Sequence, residues 1–296
     1  VRRARAAIAG VGLLATALLS SLACAPAASA EVDTSPVVAV TGTNRALYAK
    51  HTSAATWTNL GGVLVAAPAV AVVNPQITQY IGIGTNSMLY QRTDTTDWRR
   101  LTTLEYKCTQ IAMAVSPIDG TTVSGACTAG NGALYTFSFD GSAVTPTVAT
   151  LTKATANDVV SGQAAVTYDG GEPVYLFNGV SYGDGNVWIL DTTDLYQHDS
   201  VSTNGPGVST PWQFEVYQHN DATLTIVGPD LSYSIPGRSI GNPALAAGIE
   251  GQSQLFVTGT NGSVYMTGLD GQEHTGWTRI PSATPFGPAA SALLVN

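Results

Sequence analysis

Trp57, Trp98 and Trp277 each stand three residues before a branched aliphatic residue: Leu60, Leu101 and Ile280. An indole repeated in one setting offers a flat apolar face to the C–H side of a sugar ring, while polar neighbours satisfy the hydroxyls. The same ring can instead seal one structural unit against the next, and both readings are carried forward. Tyr48, Tyr90 and Tyr265 follow Asn44, Asn86 and Asn261 by four residues, as Tyr135 follows Asn131. A tyrosine that recurs with the unit favours packing, and an asparagine at such a place favours a turn, although its amide can also face a ligand. Trp57, Trp98 and Trp277 with Tyr48, Tyr90, Tyr265, Asn44, Asn86 and Asn261 are the candidate ligand-binding residues.

Reactive chemistry has no comparable set. The chain holds no nucleophile elbow, no H-E-x-x-H and no phosphate loop. Hydrolysis of a glycoside needs two carboxylates, and only scattered loop acids such as Asp184, Asp191, Asp194 and Glu215 offer them. His198 and His219 sit in the echoes "YQHDS" and "YQHND", which make a metal site only if their strands adjoin; a solvated histidine at a strand end is the commoner outcome. The expectation is a protein that binds rather than reacts, with no catalytic residue, no cofactor and no metal.

What positions the candidates is a repeat. "GTNRALY" at Gly42 returns as "GTNSMLY" at Gly84 and "GTNGSVY" at Gly259. With Asp184 before Trp188 and Asp230 before Tyr233 as degenerate copies, the markers are 42, 45, 53, 46 and 31 residues apart. A second spacing runs from Leu60, Ile235 and Ile280 to a proline eight residues on, and from Leu101 to Thr109; each is followed by a small apolar segment. Short runs rich in Val, Ile, Tyr and Thr, broken by Gly, Asn, Asp and Pro, predict strands throughout. A period in the forties with about four strands per unit predicts an all-β propeller. The small-residue segments "PAVAVV", "QIAMAV", "QAAVTY", "PALAAG" and "PAASALLV" are the expected innermost strands, where blades crowd together. They contain no Glu or Arg, and Asp119 and Asp169 lie just beyond them. The chain ends on such a strand and begins on the next one out, so the last blade is expected to be completed by both termini. Six blades are counted, with five or seven left open by the weak patterning of residues 185–229.

The sequence "GTNRALY", followed by "WTNLGG" from Trp57 and then "PAVAV", resembles the repeat of PLL-type bacterial β-propeller lectins, and more distantly tectonin-type and fungal fucose-binding propellers. The resemblance covers most of residues 37–116 and 228–296. It implies sugar binding in crevices between blades, with fucosylated or O-methylated glycans as ligands. "LGG" becomes "LTT" after Leu101 and "IPS" after Ile280, a departure at the end of each unit.

The remaining properties bound the partners. Residues 1–30 read as a secretory signal peptide, with a basic start, an apolar run and Ala28-Ser29-Ala30 before Glu31. Acylation of Cys24 is the lipoprotein alternative. No later stretch has the ~20 apolar residues of a membrane span, so residues 31–296 are expected to be one secreted propeller domain. Beyond residue 30 the chain has nine basic and 20 acidic residues, a formal charge of −11. That balance disfavours nucleic acid, which needs clustered Lys and Arg. Cys108 and Cys127 flank two strand-like runs around Pro117-Ile118-Asp119-Gly120, and export makes a disulfide between them the expected state. The reading is a carbohydrate-binding propeller with several equivalent sites for cell-surface glycans; a scaffolding propeller and a glycoside hydrolase are the alternatives.

Overall fold

A computed structural model of the chain describes residues 33, 35–102, 107–116, 118–130, 133–143, 152–153, 164–169, 172–177, 180–183, 186–189, 195–203, 212–219, 221–228, 231–240, 243–247, 253–269, 274–281 and 291–293. The signal-peptide expectation for residues 1–30 falls outside them.

Antiparallel pairing gathers the described strands into six four-stranded sheets. The first holds β1 (Val37–Thr41), β2 (Leu47–His51) and β3 (Thr58–Gly61), with β24 (Ser291–Leu293) as its inner strand. Val38 lies opposite Ala292, so the two ends of the described chain share one sheet, as expected from the sequence. The second sheet is β4 (Ala69–Asn74), β5 (Ile77–Ile83), β6 (Leu89–Thr93) and β7 (Arg99–Arg100). The third is β8 (Cys108–Val115), β9 (Thr122–Ala129), β10 (Leu134–Asp140) and β11 (Thr152–Lys153). The fourth is β12 (Ala164–Asp169), β13 (Glu172–Phe177), β14 (Val180–Gly183) and β15 (Asn186–Ile189). The fifth is β16 (Leu195–Thr203), β17 (Trp212–His219), β18 (Leu224–Gly228) and β19 (Leu231–Ile235). The sixth is β20 (Ala244–Ala247), β21 (Ser253–Thr258), β22 (Val264–Leu269) and β23 (Thr278–Arg279). The innermost strands touch in the order β4, β8, β12, β16, β20, β24, and β24 touches β4. No described helix is long and apolar enough to cross a membrane.

Strands between two neighbouring blades are buried on both faces, which is why β1 reads as a continuous apolar run rather than an alternation. Val37, Ala39 and Leu47 pack against Val70, Val72 and Tyr80 of the second blade. Val38 and Val40, pointing the other way, meet Ala244, Ala246 and Phe256 of the sixth. Each Val, Leu or Phe among them contributes about 1.5–3 kcal/mol on burial. Leu60, Leu101, Ile235 and Ile280, the ends of the second spacing, are all buried.

The hairpins before the third strands explain the marker. Asn44 Oδ1 accepts the Ala46 N–H, and Arg45 takes a left-handed φ of 65°. The same turn recurs at Asn86 with Ser87, and at Asn261 with Gly262. It recurs a fourth time at Asp221, whose Oδ1 accepts the Thr223 N–H beside Ala222 at φ 69°. The fifth-blade marker is therefore Asp221, and Asp230 with Tyr233 was misplaced: Tyr233 lies on the outer strand β19. Trp188 likewise lies on the outer strand β15, and Tyr182, four residues after Asn178, holds the third-strand place. Counted from Asn44, Asn86, Asn131, Asn178, Asp221 and Asn261, the separations become 42, 45, 47, 43 and 40. Five inner strands match the small-residue segments. The sixth, β16, carries His198 and Asp199 and had no small apolar pattern to reveal it, and β12 runs on to include Asp169.

Cys108 and Cys127 form a disulfide across β8 and β9, with Cα atoms 5.7 Å apart. The hairpin that aligns them turns at Asp119, whose carboxylate accepts the hydroxyl of Thr122 and the N–H groups of Thr121 and Thr122. Those hydrogen bonds, the Thr122 hydroxyl foremost, lower the Asp119 pKa to about 2.

Candidate functional site

Each tryptophan precedes a short outer strand whose aliphatic end is buried, and that anchoring turns the indole toward the preceding blade. Trp57 packs with the core shared with the sixth blade, Trp98 with the first, and Trp277 with the fifth. All three are partly exposed, so each seals its interface along one edge and presents surface along another. Trp57 Nε1 donates to Pro281 O at 2.8 Å, and Trp277 Nε1 to Pro236 O at 2.6 Å. These acceptors directly follow the buried Ile280 and Ile235 of the blade before.

The tyrosines and asparagines form a constant frame. Asn44, Asn86 and Asn261 donate through Nδ2 to the hydroxyls of Tyr48, Tyr90 and Tyr265 at 3.0, 3.0 and 2.8 Å. The rings lie against Gly42, Gly84 and Gly259, where an added Cβ would come within 2.6, 2.8 and 2.9 Å of them. Packing and turn formation thus account for both residue types. With Oδ1 on a backbone N–H and Nδ2 on a tyrosine, each amide is largely engaged within its own hairpin. Tyr135 is buried between the second and third blades, and Asn131 lies outside the described residues.

What differs is the filling of the crevices. Between the fifth and sixth blades a cleft of about 270 Å³ is walled by Leu224, Val257, Tyr265 and Trp277, with Arg238, Thr260 and Asn261 supplying polar groups. Between the first and second blades the equivalent space is occupied by protein. Leu64 and Ser239 hold corresponding places, bridging Gly84 and Gly259 respectively. Gly82 and Val257 correspond as the partners of Tyr90 and Tyr265. Leu64 Cδ2 sits 2.5 Å from where a Cβ on Gly82 would be, and Trp98 Cη2 3.2 Å from it. The missing side chain lets Trp98 sink: its Nε1 would be 2.7 Å from a Cβ on Gly62, and it is buried without an acceptor among the described residues. Arg92 completes the closure by donating to Leu60 O and lying 5.8 Å from the Trp98 ring centre. Thr267 is the residue at the Arg92 position in the sixth blade, and Lys50 in the first. The expected equivalence of the sites is therefore corrected: the hairpin frame is shared, and the spaces beside it are not.

His198 pairs with Tyr217 and not with His219, whose Nε2 lies 2.8 Å from Thr225 Oγ1. Asp184, Asp191 and Asp194 lie outside the described residues, and Glu215 is on β17 opposite Ser200. Sequence reasoning missed Arg238 and the pairs Leu64–Gly82 and Ser239–Val257. Arg238 follows "IPG" where Val63 follows "LGG", which is the one signal that pointed to it.

Comparison by sequence finds no matching family model and no matching curated protein. By structure the chain is similar to a lectin from Aleuria aurantia in complex with Fucα1-6GlcNAc, at 12% identity and TM-score 0.54, over 86% of this chain and 97% of that one. A crystal structure of the same fungal lectin is described as a six-bladed β-propeller with a novel fucose recognition mode. The fold is the six-bladed β-propeller. Lectin BP39L from Burkholderia pseudomallei matches at 14% identity and TM-score 0.53, over 88% of this chain and 85% of that one. AofleA from Arthrobotrys oligospora matches at 10% identity and TM-score 0.58, over 77% and 74%.

Proposed function

We propose that this propeller is a secreted lectin that holds a saccharide in the cleft between its fifth and sixth blades. The observation that carries the reading is the open cleft beside Trp277, whose ring is tethered through Nε1 and backed by Tyr265, Val257 and Leu224. A sugar ring stacked there buries C–H surface while Thr260 and Arg238 reach its polar edge. Trp57 with Tyr48 and Asn44 frames a second interface, and Trp98 with Tyr90 and Asn86 a third that is filled by Leu64 and Arg92. Binding therefore falls off from crevice to crevice. Similarity of fold to fucose-binding lectins supports the class, and the signal-peptide pattern of residues 1–30 supports export toward cell-surface glycans. A binding role is also what the residue types favour over hydrolysis.

Isothermal titration calorimetry of the purified protein with a panel of monosaccharides tests this reading. Saturable binding that Trp277→Ala weakens at least about tenfold, as loss of a stacking face requires, supports it. Absence of heat for every sugar, or indifference to Trp277→Ala, points instead to a scaffold whose repeats only build the ring of blades.

A further inference from the structure

The polar inventory of the cleft is lopsided. Asn261 is engaged with Ser263 N–H and Tyr265 Oη, and Trp277 Nε1 is engaged with Pro236 O. No described carboxylate lines the space, while the guanidinium of Arg238 is exposed in it with no hydrogen bond or ion pair among the described residues. Asp221 feels that charge but keeps its carboxylate on Thr223, whose hydroxyl and N–H hold it below the usual carboxylate range. A site for a neutral sugar needs acceptors as well as donors, because every hydroxyl carries a proton to place, and the Thr260 hydroxyl is the lining side chain left to accept. A guanidinium only donates, and its planar fork matches a carboxylate or a sulfate oxygen pair.

Basic residues are scarce, nine beyond residue 30, yet each of the interfaces that hold Trp57, Trp98 and Trp277 also carries one. Arg92 is used within the protein, on Leu60 O and Thr93 O. Lys50, on the same face of β2 as Tyr48, is 4% exposed and has no hydrogen bond or ion pair among the described residues. Burial lowers the Lys50 pKa, and an anionic ligand at the ammonium would oppose that shift.

We infer that the saccharide this cleft selects is anionic, a sugar carrying a carboxylate or a sulfate ester, with Arg238 as the residue that pairs with the charge. The inference rests on the lectin reading above and narrows it. The sugar face stacks on Trp277 while the acidic substituent lies toward Gly237 and Arg238 at the mouth. That geometry is absent from the first–second interface, where Val63 replaces Arg238.

The test is calorimetric titration of the purified protein with D-galactose, D-galacturonate and galactose 6-sulfate, repeated on Arg238→Met and Arg238→Lys. At least one of the two acids is expected to bind about tenfold more tightly than galactose, as one charge-assisted pair at a partly exposed site provides. Which acid is preferred separates the carboxylate from the sulfate source. Arg238→Met should bring the preference to within about twofold, and Arg238→Lys should keep part of it. In about 0.5 M NaCl, where the Debye length shortens to a few ångström, the preference should shrink. Galactose binding as tightly as both acids overturns the inference and leaves the lectin reading standing, as does an acid preference that Arg238→Met does not reduce. No binding by any of the three sugars overturns the inference, and the monosaccharide panel above then decides the lectin reading separately.

Discussion

Replacing each of the three tryptophans by phenylalanine should give two different results from one chemical change. Trp57→Phe and Trp277→Phe each remove a hydrogen bond to a proline carbonyl, 2.8 and 2.6 Å long, together with the part of the indole that phenylalanine lacks. A typical hydrogen bond contributes about 1 kcal/mol net, and one partly buried ring edge about another. Both variants should therefore lose about 1.5–2 kcal/mol. Trp98→Phe loses the same ring edge from a tighter site, but it also removes a buried N–H that has no acceptor among the described residues. Leaving such a donor unpaired costs about 1–3 kcal/mol, so its removal offsets the packing loss and the variant should fall within about 1 kcal/mol of the parent. A gap of about 1.5 kcal/mol in a domain of this size is a difference of about 3–6 °C in Tm. Differential scanning calorimetry at one scan rate, with denaturant unfolding followed by circular dichroism, reads both quantities. If all three variants lose equal stability, or if Trp98→Phe is the worst, Trp98 is not the sunken, unpaired ring on which the closure of its crevice depends.

Other outcomes follow from the same geometry. The double substitution Leu64→Ser with Gly82→Val transplants the Ser239–Val257 pair into the first–second interface; it should add saccharide sites in a calorimetric titration, whereas Gly82→Val alone should clash with Leu64 and lower Tm. Loss of the Cys108–Cys127 disulfide, which closes a separation of 19 residues, should cost about 3 kcal/mol, measured as denaturation midpoints with and without reductant. The Asp119 carboxylate, held at a pKa of about 2 by Thr122 and Thr121, stabilises the fold above its unfolded pKa near 3.8 and loses that effect as pH falls through about 2. Asp119→Asn should therefore lower Tm at neutral pH, with the difference from the parent vanishing toward pH 2.

Where the local pattern was strong, the chain announced its architecture. "GTN" and the tyrosine four residues after Asn reflect contacts made within one hairpin, and Trp57, Trp98 and Trp277 stand out because each is fixed in sequence beside a buried Leu or Ile although it packs on the blade before. Five of the inner strands were visible as small-residue runs because neighbouring blades leave no room for more. The fifth blade was misread because Asp221, Ala222 and Thr223 build the same turn with Thr225 in the tyrosine's place, while Asp230 and Tyr233 imitate the marker one strand later. The openness of a crevice was illegible for a deeper reason. It is decided by Leu64 against Gly82, or Ser239 against Val257, pairs drawn from two adjacent blades and 18 residues apart in each case. No periodicity within a single repeat records them.

The most direct measurement is a glycan array probed side by side with the purified protein and with Trp277→Ala. The account expects the parent to bind a restricted set of glycans, acidic structures prominent among them, and the variant to lose that set while keeping its circular dichroism spectrum. An array on which the parent binds nothing, or on which the folded variant gives the parent's pattern unchanged, would contradict a saccharide held against Trp277 between the fifth and sixth blades.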